Sequence, residues 1–489
     1  MKQQDLRSTV VLILLCAAIT ITSPAQTFTT LAHFNLNSGA NPGSPLTQGL
    51  DGNFYGTAGN YGAYGAGAFI KVTPSGTLSY PYEFCFEDIT NCPDGAYPSG
   101  AVALGVDGNF YGTTAGSLEA GNGSIYKITP AGSLTTLDNF NSCTAGICSA
   151  SPRYGVTLSW NGDFYGPSLP DAASPAAFDD LVFRISSSGK FNNVLVVCPD
   201  QICPVDAGPS GALLQVSNGD LVGPGPGGAT GWGAIYKMTS SGTPTVIYSF
   251  CDDSTCHDGE GANSPLAENA AGDFFGTNTY GGAGAGCTLS QGCGTAFKVT
   301  RADGGTLTKL HDFCRETGCT DGATPNALIL ATDGNFYGTT SGGGTSGSHG
   351  TVFKLTTDGV FTVLFRFSPV IGGSNPTTAL LQATDGNLYG TASHGGGAGG
   401  GTVFRTSLGL APFVKTVQNA GAVGASVIIL GNNLTGATSV TFNGTSATFS
   451  VISDTEITAT VPAGAATGEI QVVTPSSTLS SNVAFQVLP

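Results

Sequence analysis

The sequence predicts an all-β protein: a seven-bladed β-propeller, its last blade closed by a strand from the N-terminus, followed by a second, smaller β domain. Three observations carry this expectation. A short motif, DGNFYGT at Asp51, occurs in seven copies at steps of 52 to 62 residues. The 489 residues include 74 Gly and only 10% charged residues, where ~25% is usual, so an ordinary helical enzyme is not expected. Short β-branched and aromatic runs bounded by Gly, Asp, Asn and Pro read as strands joined by tight turns.

The first residues read as a leader. Lys2 and Arg7 precede an apolar stretch from Val10 to Ile21, and small residues Ser23 and Ala25 stand before Gln26, the pattern of a signal peptide over residues 1–25. The apolar run is about a dozen residues, short of the ~20 that cross a bilayer. Leu15 occupies the place where a lipoprotein signal at Cys16 wants a small residue. Cleavage removes two basic residues and one acidic residue from a formal charge of −16, leaving −17. A secreted or cell-surface protein is expected, with no transmembrane segment in the mature chain. Nucleic acid is not an expected partner, because its phosphates require clustered Lys and Arg.

The repeats define residues 26–408. Further copies of the motif are DGNFYGT at Asp107, NGDFYGP at Asn161, NGDLVGP at Asn218, AGDFFGT at Ala271, DGNFYGT at Asp333 and DGNLYGT at Asp385. Each is followed by a c-strand motif such as AFIKVT at Ala68 or TVFKLT at Thr351, and most by a d-strand of the type TLTxLxxF. An apolar run precedes every copy, so each repeat holds four antiparallel strands, the unit of a propeller. The Asp-Gly and Asn-Gly pairs read as hairpin turns whose residues tolerate positive φ. The d-strand missing after Arg405 is found at Thr27–Phe34, TFTTLAHF. Closure through that strand leaves no terminal blade with an exposed edge.

Twelve cysteines fall into six close pairs: Cys85 with Cys92, Cys143 with Cys148, Cys198 with Cys203, Cys251 with Cys256, Cys287 with Cys293 and Cys314 with Cys319. Local disulfides are expected, since zinc motifs would bring a second ligand pair nearby. Antiparallel order puts these loops at one end of the strands and the DGN turns at the other. The stapled, Gly-rich end also carries Glu87, Asp88, Asp252, Asp253 and Glu316, and it is the expected ligand face. Asp94, Asp258 and Asp321, in CPDG, CHDG and CTDG, are candidates there, as are His257, His349 and His394. Calcium wants six to eight oxygens, whereas each of these loops offers one Asp, which an Asp-Gly turn explains. Seven cations in strand c, Lys71, Lys127, Arg184, Lys237, Lys298, Lys354 and Arg405, are expected to pair with acids of the DGN turns. No HExxH, GxSxG or phosphate-loop pattern stands in the required context, so no catalytic residue, metal or cofactor is assigned.

From Ala411 the repeat stops. GASVIILGNNL, TSVTFNGTSATF, SDTEITATVPAGAATGEIQV and the final VAFQVLP closely resemble an IPT/TIG domain over residues 411–489. The resemblance implies an immunoglobulin-like sandwich acting as an extracellular module, with residues such as Val427, Ile429, Val440, Phe442, Ile457, Val461, Ile470 and Val472 between two sheets. The repeats, DGNFYGTT followed by a Gly-rich gap and GTVFKLT, resemble the GloVer (Gloeo_Verruco) tandem-repeat proteins over residues 27–406. That resemblance implies an exported repeat protein. No hydrophobic tail or sorting motif precedes Pro489, so permanent anchoring is not expected. Streptogramin-lyase-like propellers are also similar, but their repeats carry a Trp absent here. The expected function is binding or scaffolding at the bacterial surface with a carbohydrate or protein ligand; the alternative is a lyase or hydrolase using the central pocket, and fold alone does not separate them.

Overall fold

The computed structural model describes residues 26–489 apart from 37–39, 61–63, 87–91, 117–122, 141–148, 151, 171–180, 197–210, 226, 230, 240–243, 252–255, 263, 285, 288–291, 302–304 and 346. The signal-peptide expectation therefore lies outside the described residues. Two of the six expected disulfides lie outside them as well: Cys143 with Cys148, and Cys198 with Cys203. So do Glu87, Asp88, Asp252 and Asp253. Among the described residues no helix is long and apolar enough to cross a membrane.

Seven antiparallel sheets follow one another along the repeats. Sheet I comprises Ala40–Pro42 with Thr47–Gln48, Phe54–Asn60, Ala68–Val72 and Leu78–Glu83. Sheet II comprises Ala96–Leu104, Phe110–Gly116, Ser124–Ile128 and Leu134–Asn139, and sheet III Ser149–Ala150 with Thr157–Leu158, Phe164–Pro170, Leu181–Ile185 and Phe191–Val196. Sheet IV holds Leu214–Gln215, Leu221–Gly225, Ala234–Met238 and Pro244–Ser249; sheet V holds Ala267–Glu268, Phe274–Asn278, Thr295–Thr300 and Thr306–Asp312. Sheet VI takes Ala323–Pro325 with Ile329–Leu330, Phe336–Gly342, Thr351–Leu355 and Phe361–Arg366. Sheet VII is built from both ends of the repeats: Leu381–Gln382, Leu388–Ala392 and Gly399–Ser407 are joined by Thr27–Asn35, with Thr27 opposite Ser407 and Thr30 opposite Phe404.

The first strand varies between repeats: it has nine residues in sheet II and two in sheets IV, V and VII. In sheets I, III and VI it is broken into two pieces that pair with different parts of the second strand. In sheet I the break contains Pro45, which has no N–H to give to a ladder.

The motif residues make one recurring cluster. Asp51 Oδ2 accepts Lys71 Nζ at 2.9 Å, Tyr55 OH at 2.7 Å and Asn53 Nδ2 at 2.7 Å. Asp107 and Asp333 repeat this with Tyr111 and Lys127, and with Tyr337 and Lys354. In sheets III and V the acid moves two residues along and still meets its cation, Asp163 with Arg184 and Asp273 with Lys298. The turns are not Asp-Gly turns with two positive φ values. Gly52 alone takes φ 75°, its N–H bonds Gly49 O, and Asp51 is left free to bond the Asn53 N–H; Gly reaches this region without a Cβ clash. Later in the motif, a Cβ on Gly338 or Gly390 would lie 2.6 or 2.5 Å from the Phe353 or Phe404 ring, so this Gly makes room for the aromatic of strand c.

Burial pushes the Asp107 carboxyl up, but Lys127, Asn109 and Tyr111 outweigh it and hold it at about 2. An unfolded Asp titrates near ~4. The stability this carboxylate contributes is therefore complete above that value and is lost as pH falls toward 2. Asp107→Asn should lower the thermal midpoint at neutral pH and leave a smaller gap to wild type in acid, measured by circular dichroism.

Apolar clusters lie between sheets as well as within them. Tyr55 stacks near Phe110 at 4.3 Å, Tyr111 on Phe164 at 3.9 Å and Phe275 on Phe336 at 4.0 Å, joining sheets I–II, II–III and V–VI. Sheet VII touches sheet I in the same way: Phe54 lies 4.2 Å from Tyr389, and Gln48 Nε2 donates to Thr384 Oγ1 at 2.8 Å.

Besides a parallel pair, Ala420–Ala422 with the C-terminal strand Gln486–Leu488, the last stretch forms two four-stranded sheets. One orders Lys415–Thr416, Ser426–Leu430, Glu456–Thr460 and Phe449–Ser453; the other orders Thr445–Ser446, Ser439–Phe442, Ile470–Val473 and Thr478–Ser480. Val427, Ile429, Val440, Phe442, Ile457, Val461, Ile470 and Val472 are buried in one shared core. This sandwich rests on the turn end of the repeats. Thr455 Oγ1 donates to Leu50 O at 2.6 Å, Asn432 Nδ2 to Thr384 Oγ1 at 2.7 Å, and Gln418 Nε2 to Trp160 O at 2.6 Å.

Candidate functional site

At the opposite end, four described cysteine pairs are bonded: Cys85 to Cys92, Cys251 to Cys256, Cys287 to Cys293 and Cys314 to Cys319. The expected pairings of Cys143 with Cys148 and of Cys198 with Cys203 fall outside the described residues, so the staples described here belong to sheets I, IV and V. Three of the four share one construction. The Asp after the second Cys turns back under the loop. Asp94 Oδ2 accepts the Cys85 N–H at 2.8 Å and Tyr82 OH at 2.8 Å; Asp258 accepts the Cys251 N–H at 2.9 Å and Tyr248 OH at 2.8 Å. In sheet V, Asp321 Oδ2 accepts the Arg315 N–H at 3.0 Å and faces His311 Nε2 at 3.3 Å. Both Asp94 and Asp321 are buried. These three acids hold loops, and their partners stand two residues before the Phe that ends strand d. Burial pushes the Asp321 carboxyl up, but His311 and backbone N–H groups outweigh it and hold it below its ordinary range.

Beside the sheet I staple runs a groove of about 810 Å³, lined by Tyr64, Tyr80, Tyr82, Phe86, Pro93 and Asp94 on one side and by Gly132, Ser133, Leu134 and Thr136 of sheet II on the other. A bulge in strand d opposite Ile70 puts the two rings on opposite faces: Tyr82 packs on the core shared with sheet II, and Tyr80 with Leu78 on the core shared with sheet VII. Tyr82 is tied down through Asp94, and Phe86 stands 64% exposed with Tyr64 edge-on at 5.7 Å. Burial pushes the Tyr80 hydroxyl up, against a backbone hydrogen bond at Asn35 that lowers it, and Glu83 adds to the rise. The lining holds no Lys or Arg. Flat rings with hydroxyl edges and a carboxylate can stack on an apolar ligand face and bond its hydroxyls; anions are disfavoured.

The repeat geometry agrees with the comparison by family, in which the Gloeobacter/Verrucomicrobia repeat matches residues 17–223, 176–404 and 290–452. The chain belongs to this repeat family. No curated protein matches the chain. Solved structures similar to this repeat-family member include an α-L-arabinofuranosidase from Fusarium graminearum in complex with an iminosugar inhibitor, 13% identical, covering 63% of this chain and 91% of that one with a TM-score of 0.40. A protein of unknown function from Dyadobacter fermentans is 12% identical, covering 78% and 98%, TM-score 0.41. An auxiliary nutrient binding protein from Bacteroides thetaiotaomicron is 11% identical, covering 64% and 73%, TM-score 0.38.

The remaining candidates of this repeat protein are spread over the stapled end. His349 and His394 come to neighbouring loops: Asn375 N donates to His349 O at 2.9 Å, and Ser374 N to His394 O at 2.8 Å. Ser393 Oγ lies 2.8 Å from His394 Nδ1. His257 is exposed on a different loop, where its carbonyl accepts Lys309 Nζ at 2.9 Å. Two groups of potential metal ligands occur among the described residues, Cys293 with Cys314 and Cys319, and Cys251 with Cys256 and Glu260. All of their sulfurs are in disulfides, and a disulfide sulfur is not the thiolate a metal takes. The aromatic groove was missed from sequence. Its signal was available, because Tyr80, Pro81 and Tyr82 depart from the TLTxLxxF pattern and no other repeat places two Tyr there.

Proposed function

We propose that the protein is an exported binding protein, a seven-bladed propeller with an IPT/TIG-type sandwich over residues 411–489, and that it holds a neutral carbohydrate in the groove of Tyr64, Tyr80, Tyr82 and Phe86. The groove carries the reading: clustered rings with hydroxyl edges, one face exposed, no cation. The contacts from sheet VII to sheet I and the strand supplied by residues 27–35 support the propeller. The disulfides support an oxidising, extracellular address. The acidic balance favours neutral over anionic glycans.

Residues 26–489, refolded with disulfides formed, should bind one neutral oligosaccharide class saturably on a glycan array and by calorimetry. Phe86→Ala should weaken that binding about tenfold, equal to ~1.4 kcal/mol, with the thermal midpoint unchanged because the ring is exposed. Equal affinity in wild type and variant, or turnover of the polysaccharide in place of retention, overturns the reading.

A further inference from the structure

Sheet IV breaks the pattern that packs the other sheets together. Where most repeats place Phe and Tyr after the turn, it has Leu221 and Val222. Tyr165 of sheet III therefore faces Leu221 instead of a ring, and Phe274 of sheet V faces Val222. Cavities flank sheet IV on both sides, about 310 Å³ toward sheet III and about 180 Å³ toward sheet V. Sheet VII also has a Leu in place of Phe, Leu388, but Leu408 and Leu410 pack into that core.

The larger cavity is more than a packing fault. Trp160, one of two Trp in the chain, lines it with Tyr165, Asn161, Asn218, Asp220 and, from the sandwich, Leu488. The Trp160 backbone is held at both ends, its N–H by Gln215 Oε1 at 2.8 Å and its carbonyl by Gln418 at 2.6 Å. Asn161 Nδ2 donates to Tyr165 OH at 3.2 Å and to Asp163 Oδ2 at 3.3 Å, so the Tyr165 hydroxyl keeps its own proton to give. Asn218 Nδ2 donates to Asp220 Oδ2 at 2.8 Å, which leaves that amide a second N–H to give. The lining contains no Lys or Arg.

We infer that this cavity between sheets III and IV, with Leu488 of the C-terminal strand in its wall, is a second binding site that takes a single neutral sugar residue. Trp160 offers a flat apolar face, the Asn218 amide and the Tyr165 hydroxyl donate to sugar hydroxyls, and Asp220 accepts from one. The volume lies at the small end of ligand pockets, ~300 to 1,000 Å³, and suits one residue instead of a chain. This site lies at the turn end and is independent of the aromatic groove.

The test uses residues 26–489 carrying Trp232→Phe, which leaves Trp160 as the only tryptophan. Its emission is titrated with glucose, galactose, mannose, xylose and arabinose. The expected result is a saturable change with at least one sugar. Leu221→Phe, which restores the ring found in other repeats, and Asp220→Ala should each weaken half-saturation at least tenfold, while Phe86→Ala leaves it unaltered. If Leu221→Phe does not fold, Asp220→Ala decides. No change with any sugar, or a change that survives in Asp220→Ala or in folded Leu221→Phe, overturns the proposal; loss of oligosaccharide binding in Phe86→Ala bears only on the groove.

Discussion

Phe34→Ala is expected to destabilise the repeats by about 3–5 kcal/mol, the usual cost of removing a fully buried aromatic ring. Phe34 is 0% exposed and lies in one core with Leu46, Phe54 and Ile70 of sheet I and Tyr389 and Val403 of sheet VII. It belongs to the one strand that joins sheet VII from the far end of the chain, so its loss acts on the contact between first and last repeats. The same strand places Phe28 against Phe365 of sheet VI, 3.5 Å between centroids and 2° from parallel. Thermal and urea unfolding followed by circular dichroism measure the effect. Leu36→Ala, 46% exposed just beyond the strand, should change stability by no more than ~0.5 kcal/mol. A Phe34→Ala protein as stable as wild type would show that the N-terminal strand adds no cohesion.

The second large effect is expected at the buried pair of sheet V. Asp321→Ala removes the acceptor of two bonds and leaves His311, stacked 3.9 Å from Phe361, with its Nε2 facing a void. Bonds to a charged group contribute roughly 1.5–3 kcal/mol each, so a loss of about 2–4 kcal/mol is expected. The pH dependence separates this from a packing loss. Because the folded carboxyl titrates below its unfolded value, its contribution is present at neutral pH and fades in acid. The gap between wild type and Asp321→Ala should therefore narrow as pH falls below ~4, the unfolded value. A gap constant with pH would mean that the charge of Asp321 is not what holds the loop. Glu316→Ala, on the exposed side of the same staple, serves as control.

The repeat count, the strand borrowed from the N-terminus and the four described disulfides were legible because each depends on residues close in sequence or on a period along it. The partnership of Lys71 with Asp51 was legible for the same reason: strand register places them side by side. The roles of Asp94, Asp258 and Asp321 were only half visible. Their spacing from cysteine marks a turn, but the direction of the carboxylate depends on Tyr82, Tyr248 and His311, which reach them from the neighbouring strand. The aromatic groove went unread because the departure of Tyr80, Pro81 and Tyr82 from the repeat marks an oddity without saying what it faces; what makes a site is that Phe86 and sheet II stand beside Tyr82.

Strand, turn and repeat follow from chemistry between chain neighbours: alternation, glycine φ, cysteine spacing. Where the sandwich rests, which rings face a groove, and that Leu221 leaves a space beside Tyr165 follow from neighbours brought together by sheet packing. Burial and shape at such places are properties of two surfaces at once, and a linear pattern records each surface without its partner.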